Sequence, residues 1–264
     1  MDSKYPLSDE KVAEYQKNGF VKIEQLLQPD EVEELRALTD EAIEGDVLDR
    51  SKVGAAGYSA VFLQKVNMWR KAEQFRKFTL SKRIADVAAR LMEVDKVRVW
   101  HDHLMVKLPE KTSKATDWHQ DFPYWPMEKS AGSAMSVWIP MQDVTVENGC
   151  MWFVPGSHKF GMHEVVPLGQ DGIEDVLQLA EKKGFKNLEK VPVPLSKGDV
   201  TFHCGLTFHY AGPNKSDGRR RVLSIIYMPD GSVYNGNAHI VTDSLGLKAG
   251  QKLEGETFPL FSRL

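Results

Sequence analysis

The feature that most constrains the fold is a change in residue pattern near position 95. Beyond it, short apolar runs rich in β-branched and aromatic residues are separated by glycine-containing turns, for example at residues 155–157 and 197–199. Many short strands with such punctuation are typical of a β-sandwich or barrel. The predicted strands cover residues 97–108, 134–144, 150–154, 191–195, 200–204 and 221–228.

The first ninety residues predict helices instead. Ser8 and Ser81 fit N-caps of helices, and Pro29 fits a first helical turn. Residues 46–66 lack periodicity and are predicted to form a loop, whereas residues 171–186 have the spacing of an inserted helix.

The simplest organisation is one domain over residues 1–264, mainly β with flanking helices (α+β). The helical part covers about residues 1–94, the β core about 95–230, and a weakly patterned C-terminal extension about 231–264.

The composition excludes several classes of partner. A net charge of −3 gives no electrostatic case for nucleic acid or an anionic membrane surface. The sequence has no apolar run of membrane-spanning length, and its polar start predicts no secretory signal. Cys150 and Cys204 lie in separate strand-like runs, which predicts free thiols in a reducing cytoplasm. We therefore expect a cytoplasmic protein that acts on a small molecule; the sequence leaves its oligomeric state open.

Three side chains from distant positions fit a mononuclear iron(II) site. His119 and Asp121 are two residues apart, so in an extended segment they project from the same face. The proline-containing stretch that follows cannot continue as a central strand, which places the pair at the mouth of a strand. His209 is the best candidate for a third ligand. Two imidazoles and one carboxylate leave three positions open on an octahedral iron, the arrangement used for oxygen activation.

An arginine in the last predicted strand points to a carboxylate ligand. Arg220 alternates onto the face shared by Val222 and Ser224, whereas Arg219 and Arg221 are predicted to lie on a solvated edge. A buried guanidinium needs an anionic partner, and a bound 2-oxo acid supplies one through a bidentate contact.

These motifs together resemble the phytanoyl-CoA dioxygenase family over roughly residues 8–228. That resemblance implies a double-stranded β-helix (jelly-roll, cupin-like) core and a non-heme dioxygenase that uses Fe2+, 2-oxoglutarate and O2. The matching motifs are His119-Gln120-Asp121, Asn148-Gly149-Cys150, Pro155-Gly156-Ser157-His158-Lys159, Lys197-Gly198-Asp199, His209-x-x-Gly212-x-Asn214-x-Ser216 and Arg220.

The resemblance also implies residue roles. His119, Asp121 and His209 would bind iron and act in catalysis, and Arg220 would hold the far carboxylate of 2-oxoglutarate. Further positions near the co-substrate would be Ser216, Trp138 and His103.

A purely structural role is an alternative for several of these positions. Trp138 suits plain core equally, and His103 suits a histidine held by a core hydrogen bond. A structural role is favoured for His203, and Lys107 is predicted to be solvated.

The aromatic residues after Asp121 are the predicted substrate wall, with a solvent-shielding flap as the equal alternative: Phe122, Tyr124 and Trp125. In related halogenases a small residue replaces this aspartate, so its presence favours hydroxylation of an unactivated C–H bond, with 2-oxoglutarate converted to succinate. Desaturation, epimerisation and ring formation begin with the same hydrogen abstraction. Two other classes stay open: a non-catalytic or sensory member of the fold, and a zinc hydrolase with the same ligands.

Overall fold

The computed structural model describes residues 4–45, 63–109, 113–128, 134–165, 176–186 and 188–264. The α-helices are α1 (Asp9–Asn18), α2 (Pro29–Glu44), α3 (Met68–Lys71), α4 (Arg76–Thr79), α5 (Lys82–Leu91) and α6 (Val176–Lys182). The strands are β1 (Phe20–Ile23), β2 (Leu63–Val66), β3 (Lys96–Lys107), β4 (Thr116–His119), β5 (Met135–Pro140), β6 (Met151–Phe153), β7 (Val191–Val193), β8 (Val200–Cys204), β9 (His209–Ala211), β10 (Arg220–Pro229) and β11 (Leu260–Ser262).

The predicted helix starts are confirmed by their caps. The Ser8 hydroxyl accepts the Lys11 N–H at the start of α1, and the Ser81 hydroxyl accepts the Ile84 N–H at the start of α5. Pro29 is the first residue of α2, where its missing N–H has no consequence.

Other predictions for this half need changes. Of the predicted loop at 46–66, residues 46–62 lie outside the described residues, and residues 63–66 form strand β2. The inserted helix is confirmed over residues 176–182 as α6, and the part before it also lies outside.

The described strands form two antiparallel sheets. The larger has the order β1-β8-β5-β10-β3-β11, with β2 pairing β3 as well, and the smaller has the order β4-β9-β6-β7. The predicted β-rich core is thereby confirmed, and each predicted range contains a strand: β8 has the predicted bounds, β10 is longer than predicted, and β5 is much shorter.

Alternation along the larger sheet separates a helix-facing side from a cavity-facing side. In β10, Leu223 and Ile225 pack into the core cluster that also contains residues of α2 and α5. Ser224 and Ile226, which alternate with them, line a cavity. Because side chains in a strand alternate with period two, one sheet supplies both a core and the floor of a site.

The smaller sheet faces this cavity from the other side. His119 on β4, Met151 on β6 and His209 on β9 line it together with residues of β3, β5, β8 and β10. The cavity therefore lies between the two sheets, with a volume of about 800 Å³.

A β-bulge in β3 sets which side chains reach the cavity. Ile226 pairs with His101 and the next residue, Tyr227, pairs with Val99, so Trp100 is an extra residue on β3. The bulge switches the alternation: Val97 and Val99 face the helices, whereas His101 and its alternate neighbours face the cavity.

The C-terminal extension, whose structure the sequence did not predict, packs against the segment after β4 and against the start of β3. Val233 bridges to Lys252, Tyr234 bridges to Met127, and β11 pairs with the start of β3. Among the described residues, no helix combines the length and apolar character needed to cross a bilayer.

Candidate metal centre and co-substrate site

The two strands that carry the candidate histidines pair directly with each other. His119, the last residue of β4, lies opposite His209, the first residue of β9, and their ring centroids are 4.1 Å apart. Asp121 follows after the chain has left the strand, with φ −73° and ψ −40°. The sequence spacing predicts a continuous extended segment over His119 and Asp121. The two side chains instead converge because the chain turns after β4.

The three predicted ligands come together in one small space. One ligand atom from each of His119, Asp121 and His209 lies within 4.8 Å of the other two. Each Nε2 is 3.4 Å from Asp121 Oδ1. This is the donor set of a two-histidine, one-carboxylate iron site.

Backbone contacts set both imidazoles in the form that binds a metal. His119 Nδ1 lies 2.6 Å from the Asp117 carbonyl, and His209 Nδ1 lies 2.9 Å from the Thr207 carbonyl. A carbonyl oxygen only accepts, so each Nδ1 carries the ring proton and each Nε2 presents its lone pair to the site. The residues present therefore fit a divalent metal.

The ionisation states agree with that fit. Burial raises the pKa of the Asp121 carboxyl, but attraction by His209 and the close contacts with the surrounding imidazoles outweigh it and hold the pKa well below its usual range. The pKa of His119 is lowered because burial disfavours its imidazolium and His209 repels it. The site thus combines an ionised carboxylate with a neutral imidazole, the forms that coordinate metal.

Two further residues hold the Asp121 carboxylate. The Ser136 hydroxyl donates to Oδ2 at 2.8 Å, and His203 Nε2 lies 3.4 Å from the same oxygen. Sequence reasoning favoured a structural role for His203. Its position between Phe202 and Cys204, whose side chains pack in the helix-facing core, is the signal that it faces the cavity.

Arg220 lies at the far end of the cavity with 1% of its surface exposed. Its Nη1 donates to the Gly149 carbonyl at 2.9 Å, and its guanidinium carbon is 5.4 Å from the centroid of the Trp138 ring. A fixed, desolvated guanidinium facing a cavity is a site for a carboxylate.

Two predictions about charged neighbours were wrong. Lys107, expected in solvent, is fully buried and donates to the carbonyls of Ala211 and Gly212. Arg221, expected on a solvated edge, is largely buried and pairs with Asp40 at 2.7 Å.

Comparison with known proteins places this geometry in a family. The model of the phytanoyl-CoA dioxygenase family matches residues 15–222. The chain belongs to the phytanoyl-CoA dioxygenase family. The predicted class, a non-heme iron- and 2-oxoglutarate-dependent oxygenase, is thereby confirmed.

Relatives in this family span much of the chain. Phytanoyl-CoA dioxygenase domain-containing protein 1 of Danio rerio is 26% identical over 267 residues, covering 84% of this chain and 90% of that protein. The peroxisomal phytanoyl-CoA dioxygenase of Bos taurus is 26% identical over 230 residues, covering 80% of this chain and 65% of its own length.

Solved structures extend the likeness to nearly the whole chain. The α-ketoglutarate-dependent carbocyclase SnoK from nogalamycin biosynthesis aligns with a TM-score of 0.83 and 29% identity, covering 99% of this chain and 100% of that one. The epimerase SnoN, in complex with Fe3+, α-ketoglutarate and nogalamycin RO, aligns with a TM-score of 0.79 and 27% identity, covering 96% and 97%.

The other predicted site residues of this phytanoyl-CoA dioxygenase family member divide into two groups. Those that line the cavity are Trp138, His103, Tyr124 and Trp125. Those that do not are Ser216, whose hydroxyl donates to Asn214 Oδ1 at 2.7 Å, and Phe122, which packs in a core cluster.

His103 combines a place on the cavity with a side-chain hydrogen bond, and its role toward the co-substrate stays a prediction. It lines the cavity, and its Nε2 lies 2.7 Å from Gln64 Oε1 on the adjacent strand β2. Burial lowers its pKa to about 4, so the ring is neutral at physiological pH.

Proposed function

We propose that His119, Asp121 and His209 bind the iron(II) of this oxygenase. The observation that carries the proposal is the convergence of two Nε2 lone pairs, each fixed by a backbone carbonyl at Nδ1, on one oxygen of an ionised aspartate. Ser136 and His203 contact the other oxygen of that aspartate, so its orientation is set before a metal arrives.

We assign Arg220 to the far carboxylate of 2-oxoglutarate. Arg220 is the first residue of β10 and lies six residues before Ile226. Ile226 pairs with Ser136 on β5, which lies beside the metal ligands. Between these two ends, Trp138 and Ser224 face each other across β5 and β10, with His103 in the same row on β3. A co-substrate that chelates the metal and extends toward Arg220 would lie along this row. Ser216 acts in this scheme by holding the Asn214 turn.

When bound, iron(II) and 2-oxoglutarate supply oxidising power, because oxidative decarboxylation to succinate with O2 drives removal of hydrogen from a C–H bond. The chain's own residues do the rest. Trp125 and Trp138 give the cavity buried apolar walls, and Tyr124 and Trp125 orient the substrate beside the open side of the metal site.

Oxidation of a small organic substrate is proposed, with hydroxylation as the default outcome. Relatives that catalyse ring closure and epimerisation indicate that this scaffold supports other outcomes of the same hydrogen abstraction. Product mass separates them, since hydroxylation adds one oxygen, ring closure or desaturation removes two hydrogens, and epimerisation changes neither.

The proposal also covers the fold type and the domain organisation. We take the two sheets as the faces of a double-stranded β-helix, covered on the larger sheet by a layer of N-terminal helices, in one domain. The shared core cluster of α2, α5 and the larger sheet supports the layer, and the cavity between the sheets supports the β-helix. A cytoplasmic location remains a prediction.

The test is succinate formation from 2-oxoglutarate under iron(II) and air. We expect His119→Ala and Asp121→Ala to abolish succinate formation. Both variants should also fail to bind cobalt(II), which is measured under anaerobic conditions by the visible absorption of the bound ion. His158→Ala is the matched control, because His158 contacts the Gln16 carbonyl away from the cavity. Undiminished succinate formation by the wild type in excess chelator contradicts the proposal.

A further inference from the structure

Two histidines in the cavity have no role in binding iron or 2-oxoglutarate. His101 comes from β3 and is buried, and His239 comes from the C-terminal extension and is half-buried. Their rings are nearly parallel, with centroids 5.9 Å apart and an interplanar angle of 26°. The proposed function makes this cavity the substrate site, and the role of the two histidines rests on it.

The strand register places His101 beside the metal ligands and away from Arg220. Ser136, which holds Asp121, pairs with Ile226, and Ile226 pairs with His101. Two interstrand steps separate Ser136 from His101, about 10 Å. Arg220 lies six residues along β10 from this row, about 20 Å. His101 therefore lies at the end of the cavity that 2-oxoglutarate leaves free.

Backbone groups set the two rings in opposite tautomers. His101 Nδ1 lies 3.1 Å from the Asp102 carbonyl, so it carries the proton and Nε2 is an acceptor. His239 Nδ1 accepts the Val241 N–H at 3.2 Å, so its Nε2 carries the proton and is a donor.

Both rings are neutral at physiological pH. Burial, with smaller contributions from His103 and His239, lowers the pKa of His101 to about 3. Burial also lowers the pKa of His239, and Asp243 offsets this only in part. The pair thus presents one acceptor and one donor and carries no net charge.

We propose that His101 and His239 together bind a hydroxyl group of the substrate, which is therefore an alcohol or a phenol. A hydroxyl oxygen accepts from His239 Nε2–H while its proton is donated to His101 Nε2. With hydrogen bonds of about 2.8 Å on either side, one oxygen spans rings at this spacing. An ether or ketone uses only the donor, and a carboxylate is repelled by the lone pair of His101.

The rest of this end of the cavity suits a ring-shaped body on that hydroxyl. Tyr124, Trp125 and Ile226 line it with flat or branched apolar surfaces. The whole cavity, about 800 Å³, lies in the range of about 300–1,000 Å³ that holds a drug-sized ligand. His101 and His239 are accordingly specificity-determining residues.

The test compares three matched probes: 2-naphthol, 2-methoxynaphthalene and 2-naphthoate. Dissociation constants are measured by ligand-observed NMR on protein carrying zinc and 2-oxoglutarate, which binds without turnover. One neutral hydrogen bond corresponds to about threefold to tenfold in affinity, so we expect the naphthol to bind that much more tightly than the other two. His101→Leu and His239→Leu should each reduce the preference below twofold.

The control variant is Ile240→Ala, which changes an exposed apolar residue at the same cavity and should keep the preference. His239→Leu lies on a half-buried loop, so a result survives even if His101→Leu does not fold. Equal binding of naphthol and its methyl ether, tighter naphthoate binding, no saturable binding, or a preference that survives both histidine variants overturns the inference. Failure of zinc or 2-oxoglutarate to bind in the same samples would instead overturn the proposed function.

Discussion

Replacement of Arg220 by methionine separates binding of the co-substrate from folding. The side chain is buried, donates to the Gly149 carbonyl and lies against Trp138. Methionine is unbranched, flexible and uncharged, so it keeps the apolar stem of the side chain and removes the guanidinium. Arg219→Met is the matched control, because Arg219 is 40% exposed and lies 3.6 Å from Asp40.

The two expected effects have different sizes. Loss of charge-assisted hydrogen bonds to a carboxylate, about 1.5–3 kcal/mol each, should weaken 2-oxoglutarate binding about 100-fold or more. The ligand-free protein should change by no more than about 1–3 kcal/mol, the cost of leaving the Gly149 carbonyl without its buried donor. Lys107 supports this, since burial and then repulsion by Arg220 hold its pKa well below the usual range. Removing Arg220 relieves that repulsion and offsets the lost hydrogen bond.

Thermal unfolding with and without 2-oxoglutarate, on manganese-loaded protein under argon, measures both effects. Ligand at about 100 times the dissociation constant stabilises the wild type by about 2.7 kcal/mol, whereas a 100-fold weaker variant gains about 0.4 kcal/mol. At about 2–4 °C per kcal/mol, the melting temperature rises about 5–10 °C in wild type and about 1 °C in Arg220→Met. A lower ligand-free melting temperature with an unchanged ligand shift would show that Arg220 serves only the fold.

Three further substitutions test the surroundings of the site. Ser136→Ala removes the hydroxyl on Asp121 and should weaken metal binding about 10–100-fold in chelator competition, with little change in unfolding. Gly149→Ala places a Cβ 2.5 Å from the Gly212 carbonyl at a φ of +86°, and should cost about 1–2 kcal/mol or more in urea unfolding. Burial raises the pKa of Asp102 to about 6 from 3.8, so its ionisation destabilises the fold as pH rises. Wild type should therefore lose up to about 3 kcal/mol of unfolding free energy between pH 4 and pH 7, a loss that Asp102→Asn should not show.

The parts of the site that sequence predicted are those set by local rules. Alternation in β10 placed Arg220 on the inner face with Ser224, and the structure has both on the cavity. The capping residues Ser8 and Ser81 predicted where two helices begin, because a cap acts within one turn of the chain. The union of His119 with His209 needed a different source, the chemistry of iron ligands, since nothing local relates positions ninety residues apart.

The prediction for Lys107 was wrong because it followed the general preference of lysine for solvent and not the alternation of side chains along the strand. Lys107 follows His103 and Met105 at spacing two on the same strand, so its position predicts an inward side chain. Lysine's preference for solvent suggested the opposite, yet its ammonium is satisfied by two carbonyls of the chain after β9. Those acceptors are supplied by residues 211 and 212, and only the tertiary fold brings them near.

His239 marks the limit of what a single sequence reveals here. It lies in a segment without periodicity, and its place in the cavity depends on residues distant in sequence, including His101, whose ring centroid lies 5.9 Å away. His101 in turn reaches the cavity because Trp100 is bulged out of register with β10, and an isolated bulge leaves no pattern in the sequence. The metal ligands were predicted from the chemistry of an iron site. The two histidines proposed to face the substrate depend instead on a bulge and a terminal loop.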